Sequence, residues 1–471
     1  MQVKFRSILI PCLAAFLGSL TQFSAAQPLE KPPFERPAGA STIEEVAAGY
    51  AALFTCSAHF IMNRPLDAII EEELVDLKQF ELPDPVIDTQ RQLVRGSDGQ
   101  GNTIIAAYRP TMGCTVVPPH WSEADIGRLP NVSLPDAPDM SNVPFPQGDK
   151  AKPRPSAKQR QLLSAAFDGE TYGEGNYTIG IAIVKDGRLV AERYREGFGI
   201  HTGYRTWSTA KSITSTLIGI ATRDGLIDIE APANVPEWQY FKDPRQAITI
   251  KHLLHMSSGL HTYGANTNAI YFGGQDTLSA ATQTHLADVE DTSATPGEIW
   301  KYANVDTLLL NRALRATLDD DLRHLRYPYD ELFHKIGMYH TRMEVDHLGN
   351  FIGSSQVYTT ARDLARFGLL YLNDGVWNDE RILPEGWAEF VAQRAPAFPV
   401  SEGGIGYGAQ FWLLGDFDGV PGGTFTSSGN KGQHSTVVPS ENLVIVRTGI
   451  NPDGVRWDHP KFVADAVKAF K

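Results

Sequence analysis

Clusters of basic side chains are missing from this chain of 471 residues, which carries a formal charge of −13. Without such a cluster the chain lacks the surface that follows nucleic-acid phosphates, so nucleic acid is not an expected partner. A repeat period is missing too, and 42% hydrophobic with 21% charged residues is typical of a globular protein. The length favours two or three domains.

A long hydrophobic run is also missing. The N-terminal apolar stretch, residues 7–20, falls short of the ~20 residues that a membrane-spanning helix needs. Lys4 and Arg6 precede it, and small residues follow at 24–26. These features predict a cleaved signal peptide over residues 1–26 rather than a membrane anchor. The mature protein is then expected to be periplasmic or secreted, without stable membrane insertion.

Cysteine is scarce, with three residues in the whole chain. Cys12 lies inside the predicted signal peptide, which leaves Cys56 and Cys114 in the mature protein. An even count in an exported protein predicts a disulfide between them. Two separate buried thiols are the alternative.

Two common hydrolase signatures are absent as well. The sequence contains neither Gly-x-Ser-x-Gly nor His-Glu-x-x-His. His252 and His255 share a helix face, but no acidic third ligand accompanies them and core packing explains them. We therefore expect no metal and no organic cofactor.

Residues 27–155 are predicted to form an N-terminal module. Apolar residues at three- and four-residue spacing predict helix over 40–80, and a strand-like stretch follows at 101–108. Prolines then cluster between 129 and 155, where neither a helix nor a central strand can continue. This run is expected to be a linker or a strap lying over the next domain.

Residues 156–471 read as a second unit of the α+β class. A hairpin is predicted from strands at 177–184 and 188–194, because Asp-Gly suits the tight turn between them. Helical patterns follow at 208–223, 250–254, 305–318 and 360–372, then strands at 408–414, 433–438 and 443–448, and a last helix at 461–470. This order predicts an antiparallel sheet built from both ends of the domain, flanked by helices, with an inserted helical subdomain and a cleft between the parts.

Ser208 and Lys211 form a Ser-x-x-Lys motif where a helix is predicted to begin. Residues three apart on a helix lie on one face, ~5–6 Å apart. Burial and the helix N-terminus both disfavour a charged lysine, and a neutral lysine can accept the serine proton. The plain alternative is a helix-capping serine and a surface lysine. Ser428 and Lys431 match the same spacing, but in a stretch without helical pattern.

Tyr302 and Asn304 form a Tyr-x-Asn motif in a loop before a helix. A tyrosine beside a cationic lysine loses its proton more easily and can serve as base and acid. Asn304 is placed to donate to an acyl carbonyl or to hold Lys211. A second Tyr-x-Asn match begins at Tyr371, but it lies inside a helical pattern, and Tyr371 is expected to be buried in the core.

These motifs, in this order and followed by a Ser-Ser-Gly strand, resemble the serine β-lactamase and penicillin-binding-protein superfamily, in its class C-like branch. The resemblance is greatest to 6-aminohexanoate-dimer hydrolase-like serine hydrolases and covers roughly residues 155–471. Further matching segments are residues 253–260, residues 359–365, and Ile336-Gly337-Met338 followed by Thr341.

The third motif departs from the family pattern. Where β-lactamases carry Lys-Thr-Gly, the same spacing to Pro439 gives Ser427, Ser428 and Gly429. The resemblance implies that the backbone N–H groups of Ser208 and Asn430 form the oxyanion hole. The lysine that meets a β-lactam carboxylate is absent, although Lys431 and His434 lie nearby in another register. A bulged hairpin is the plain interpretation of this stretch.

The sequence therefore predicts a serine hydrolase that cleaves a small-molecule ester or linear amide through an acyl-enzyme on Ser208. A β-lactamase or D-alanyl carboxypeptidase is the first alternative. A non-catalytic binder or sensor with the same fold is the second. The oligomeric state stays open. Asp346 and the turn 353–355 are further candidates for lining the cleft.

Overall fold

The computed structural model describes residues 42–118, 121–240, 242–260, 295–400 and 404–471. Helix α1, Ile43–Phe60, begins with a capping box in which Thr42 and Glu45 satisfy each other's backbone N–H groups. The predicted helix over 40–80 is interrupted at Asn63, whose φ is 54°, just before Pro65. Shorter helical segments then follow at Leu66–Ala68, Ile69–Glu73 and Val75–Phe80.

A four-stranded antiparallel sheet packs beside α1, and it contains the strand predicted at 101–108. Its strands, in order, are β1 Val86–Asp88, β2 Leu93–Ser97, β3 Thr103–Arg109 and β4 Gly113–Val116. Cys56 on α1 and Cys114 on β4 form a disulfide, with their Cα atoms 6.1 Å apart. The predicted pairing is confirmed, and it joins the helix to the sheet.

This N-terminal sheet is separate from the main sheet, but the buried side chains of α1 belong to the same apolar core as Ala182 and Val184 of the main sheet. The proline-rich stretch, residues 129–155, also contacts the later part of the chain, as a strap would. Arg366 donates to the carbonyl oxygens of Pro146 and Gly148, at 2.8 and 2.7 Å. Of the two expectations for residues 129–155, the structure therefore favours the strap.

The main sheet has seven antiparallel strands, two from residues 178–194 and five from residues 406–449, so both ends of the domain build it as predicted. The early hairpin is β5 Thr178–Lys185 and β6 Arg188–Tyr194. Small outlying strands are β7 Tyr204–Arg205, β8 Arg342–Met343, β9 Val357–Thr359, β10 Val376–Trp377 and β11 Glu380–Arg381. The late strands are β12 Gly406–Tyr407, β13 Trp412–Leu413, β14 Phe425–Gly429, β15 Gln433–Val438 and β16 Leu443–Gly449.

One predicted strand, 408–414, is wrong in its bounds. Gln410 has a φ of 67°, so the chain turns there and forms the short hairpin of β12 and β13. On β14, β13 pairs with Phe425 and Thr426, and the end of β14 at Gly429 lies instead against the backbone of Thr206 and Ser208.

Helices cover both faces of the main sheet, because successive side chains of its strands point to opposite faces and apolar residues occupy both. Ile181 and Ile183 face the helices α2 Ala157–Ala166 and α9 His459–Phe470, whereas Ala182 and Val184 face the larger core. The other helices are α3 Thr209–Arg223, α4 Ile250–Leu254, α5 Asn304–Leu318, α6 Asp321–Pro328, α7 Ala361–Leu372 and α8 Trp387–Ala392. None of the described helices is both long and apolar enough to cross a membrane.

Candidate active site

Ser208 is the residue directly before α3, and it follows Trp207, whose φ of 51° turns the chain into the helix. The Ser208 side chain makes no capping hydrogen bond to the helix. The capping interpretation of this serine therefore fails. Its hydroxyl is instead in contact with Lys211, three residues further on.

Lys211 is buried, with 1% of its surface exposed, so the surface-lysine interpretation also fails. Its Nζ lies 3.3 Å from Ser208 Oγ, 2.5 Å from Asn304 Oδ1 and 2.8 Å from the carbonyl oxygen of Ser354. Burial lowers the pKa of Lys211 to about 7. A neutral lysine is accordingly accessible near neutral pH.

Tyr302 completes the cluster from the loop before α5. Its ring centroid lies 5.1 Å from Lys211 Nζ, and its hydroxyl lies beside Ser208. Burial raises the pKa of Tyr302 well above its usual value, and the Ser208 side chain lowers this pKa only in part. The expectation that Tyr302 loses its proton easily is therefore wrong, because burial raises the pKa of the phenol more than the neighbouring Ser208 lowers it.

Asn304 and Ser354 fix the lysine from opposite parts of the sequence. Asn304 opens α5 and accepts from Lys211 through its side chain, one of the two roles expected for it. The Ser354 carbonyl belongs to the turn 353–355, whose contact with Lys211 no sequence signal revealed. Asp346 accepts from the backbone N–H groups of Leu348 and Asn350, as an ordinary turn residue does. Tyr371 is core and hydrogen-bonds Thr216.

The end of β14 lies against the backbone that precedes the serine. A Cβ on Gly429 would come within 2.0 Å of the Thr206 carbonyl oxygen and 3.2 Å of Ser208 N. Glycine is therefore needed at position 429 because the backbone of Thr206 to Ser208 packs closely against it, and not because a ligand does. The next residue, Asn430, follows in a short 3-10 turn, and its side-chain amide is buried without a hydrogen-bond partner among the described residues.

Ser427 and Ser428 point to opposite faces of β14. Ser427 is fully buried and donates to the carbonyl oxygen of Ser435 on β15, at 3.4 Å. The structure therefore does not present Ser427 on the surface as a ligand. Ser428 is partly exposed, and its hydroxyl is hydrogen-bonded to His434 Nδ1, at 3.1 Å.

Neither of the two neighbouring basic residues provides a free positive charge. Lys431 is 1% exposed, and its Nζ lies 3.2 Å from Asp76 and 3.7 Å from Asp453. Burial lowers the pKa of His434 well below its usual value, so its ring is neutral. The second Ser-x-x-Lys match also fails, because its serine lies on a strand and its lysine at a φ of 56°.

His252 lies in α4 and caps its first turn, and His255 directly follows the helix. His252 Nδ1 accepts from the N–H of Thr249, which begins the helix, and His255 is 7% exposed. Among the described residues, metal-ligand atoms come within 4.8 Å of one another in one group, Asp149, His201 and His340. Asp149 there already pairs with Arg366 at 2.8 Å, and the group shares no member with the Ser208 cluster.

The partly buried Ser208 and Tyr302 meet the buried Lys211 beside the antiparallel sheet, and this arrangement is typical of a β-lactamase-fold hydrolase. Residues 163–449, more than half of the chain, match the Beta-lactamase family. The chain belongs to this family.

Individual relatives are distant. The 6-aminohexanoate-dimer hydrolase of Paenarthrobacter ureafaciens is 26% identical over 372 residues, covering 74% of this chain and 90% of the relative. Penicillin-binding protein 4 of Amycolatopsis lactamdurans is 26% identical over 282 residues, covering 51% and 70%. The crystal structure of a family VIII carboxylesterase has a similar fold, with a TM-score of 0.52 at 14% identity over 68% of this chain and 99% of that one.

Proposed function

We propose that this protein is a serine hydrolase that cleaves an ester or a linear amide through an acyl-enzyme on Ser208. The supporting observation is how Lys211 Nζ is surrounded. A neutral amine has two N–H bonds and one lone pair. Asn304 Oδ1 and the Ser354 carbonyl accept the two N–H bonds, which leaves the lone pair for the hydroxyl of Ser208 at 3.3 Å.

In the acylation step, Lys211 takes the Ser208 proton while Oγ forms a bond to the substrate carbonyl carbon. The carbonyl oxygen becomes negative and accepts hydrogen bonds from the backbone N–H groups of Ser208 and Asn430. The neutral phenol of Tyr302 passes a proton to the leaving oxygen or nitrogen as the carbon–leaving-group bond breaks. The protonated Lys211 then has three hydrogen-bond acceptors, namely Asn304 Oδ1, the Ser354 carbonyl oxygen and Ser208 Oγ. It returns a proton to Tyr302, which restores the neutral phenol.

In the deacylation step, a water molecule attacks the ester carbonyl of the acyl-enzyme. The neutral amine of Lys211 removes the water proton, Tyr302 passes its phenol proton to Ser208 Oγ as the bond to the acyl group breaks, and the protonated Lys211 then returns a proton to Tyr302. The reaction requires no other reactant.

The substrate is proposed to need no free carboxylate. Ser427 replaces the lysine of the family motif, Lys431 is held by Asp76, and His434 is neutral. One relative is named a 6-aminohexanoate-dimer hydrolase, and a protein of similar fold is named a carboxylesterase. A β-lactamase or D-alanyl carboxypeptidase remains the alternative within enzymes, since a penicillin-binding protein is also a relative.

The buried lysine also argues against a non-catalytic binder. Holding a desolvated lysine beside a serine is costly and serves no evident packing purpose. A periplasmic or secreted location remains part of the proposal. The disulfide between Cys56 and Cys114 suits an oxidising compartment.

Turnover of three substrates tests the proposal. We expect the mature protein to hydrolyse p-nitrophenyl acetate and to cleave the linear 6-aminohexanoate dimer or a similar short amide, with little turnover of nitrocefin. Ser208→Ala should abolish every rate. A higher kcat/KM for nitrocefin than for the ester would support the β-lactamase alternative, and no turnover of any of them would favour the binder.

A further inference from the structure

The N-terminal segment, residues 42–118, lies outside the part of the chain that matches the family, yet it contacts the proposed site at two points. These contacts flank the two backbone N–H groups of the oxyanion hole. One contact is to Trp207, directly before Ser208. The other is to Lys431, directly after Asn430.

Asp76 holds Lys431 from the helical stretch after α1. Its carboxylate lies 3.2 Å from Lys431 Nζ, and the two side chains are 8% and 2% exposed. Asp453 supports the same ammonium at 3.7 Å. A buried ion pair of this kind fixes geometry strongly, because removing one partner leaves an uncompensated charge.

Phe54 on α1 contacts Trp207 directly and also through the guanidinium of Arg205, which lies over both rings. The guanidinium carbon of Arg205 lies 3.3 Å from the Phe54 ring centroid and 4.0 Å from that of Trp207. The two rings also meet edge to face at 5.6 Å. Within the described residues the three guanidinium nitrogens of Arg205 have no hydrogen-bond acceptor, so the aromatic faces supply its main contacts.

Both contacted residues have a backbone that needs support. Trp207 and Lys431 are not glycines, and their φ angles of 51° and 56° lie in the left-handed region. Such residues are strained and persist only where their surroundings fix them. Gly429 brings the two segments together, since a Cβ there would lie 3.2 Å from Ser208 N. A shift of either segment therefore changes the spacing of both N–H donors.

We infer that the N-terminal segment positions the oxyanion hole, with Asp76 and Phe54 as positioning residues that act through Lys431 and Trp207. This inference rests on the proposed hydrolase function. The segment is itself anchored, because Glu344 accepts hydrogen bonds from Ser57 Oγ at 2.7 Å and from the N–H of Cys114 at 2.8 Å. It thus provides a fixed support for both contacts.

The test compares Asp76→Asn and Phe54→Leu with two controls in the same segment, Asp67→Asn at an exposed acid and Phe60→Leu at the end of α1. Each full-length variant is assayed with an aryl oxygen ester and the matching thionoester, and its folding is followed by circular dichroism and thermal melting. The oxygen ester depends on the oxyanion hole more than the thionoester, because sulfur is a weak hydrogen-bond acceptor.

We expect kcat for the oxygen ester to fall about tenfold or more in both test variants, less than the 10²–10³-fold loss on deleting a donor. KM should change little, since the lost interaction forms in the transition state. The thionoester rate should fall less, and both controls should keep the wild-type kcat.

The inference is overturned if the test variants fold and keep the wild-type kcat. It is also overturned if kcat falls equally for the oxygen ester and the thionoester, because that result indicates a purely structural role. If Asp76→Asn does not fold, Phe54→Leu decides alone. Wild-type protein that neither turns over the ester nor accepts a serine-directed probe would instead contradict the proposed function.

Discussion

Lys211 Nζ contacts Ser208 Oγ at 3.3 Å while its other two hydrogen bonds go to acceptors from distant parts of the chain. Burial lowers the pKa of Lys211 to about 7. The neutral amine is the form that accepts a proton, so activity should rise as the pH increases through about 7 and then level off. The pH dependence of kcat/KM for an uncharged aryl ester measures this, and a rate that is flat across that range would contradict it.

Substitutions at Lys211 separate its basicity from its charge. Lys211→Met and Lys211→Arg should each lower kcat/KM by about 10²–10⁴-fold, because neither side chain can act as a base near neutral pH. If Lys211→Arg keeps most of the activity, the residue acts by charge alone and the proton-transfer role is wrong.

Tyr302→Phe should lower the acylation rate by about 10²–10⁴-fold, because it removes the hydroxyl that passes a proton to the leaving group. Combined with Lys211→Met, it should lose less than the product of the two single losses, since the two groups act together. Stopped-flow measurement of the single and double variants tests this. Multiplicative losses would indicate independent roles.

The disulfide should stabilise the N-terminal segment strongly. Cys56 and Cys114 are 58 positions apart, and closing a loop of that length contributes about 4 kcal/mol in the chain-entropy account. Cys56→Ser with Cys114→Ser should lower the free energy of unfolding by up to about that amount. Denaturant unfolding measures it, and mass spectrometry of the non-reduced mature protein shows whether the bond forms. Two free thiols after periplasmic expression would refute the pairing.

Glu344 should make the protein less stable as the pH rises. Burial raises the pKa of this carboxyl from 4.5 to about 7, although bonds from Cys114 and Ser57 oppose the shift. The protonated Glu344 carboxyl contributes to the free energy of unfolding, and this contribution is fully present below the pKa of 4.5 that the group has in the unfolded chain. It is lost as the pH rises through about 7, and the total loss is up to about 3 kcal/mol.

Glu344→Gln should therefore gain stability relative to wild type as the pH rises from about 5 to about 8. The exposed residue Glu385 provides the control, as Glu385→Gln. Free energies of unfolding across this pH range decide the matter. Parallel curves for wild type and Glu344→Gln would show that Glu344 does not titrate there.

Local sequence patterns predicted the elements that depend on neighbours along the chain. The spacing of Ser208 and Lys211 defines one helix face, and the alternation of residues 177–194 and 433–448 defines a sheet with two covered faces. These features follow from helix and strand periods and do not depend on distant contacts.

Contacts between distant residues could not be predicted in the same way. The Ser354 carbonyl that holds Lys211 is 143 positions away, and Asp76 is 355 positions from Lys431. The state of Tyr302 was missed for a related reason, because burial depends on the whole fold. Ser427 was assigned by register alone, which does not show that its side chain is enclosed.

Covalent labelling of Ser208 tests the central claim most directly. A fluorophosphonate probe should label the mature wild-type protein at one site, and peptide mapping should place the adduct on Ser208. Ser208→Ala should melt at a temperature close to that of wild type, because its partly exposed hydroxyl makes no capping bond, and it should show no labelling. Labelling that persists in Ser208→Ala, or an adduct that maps to Ser428, would contradict the account.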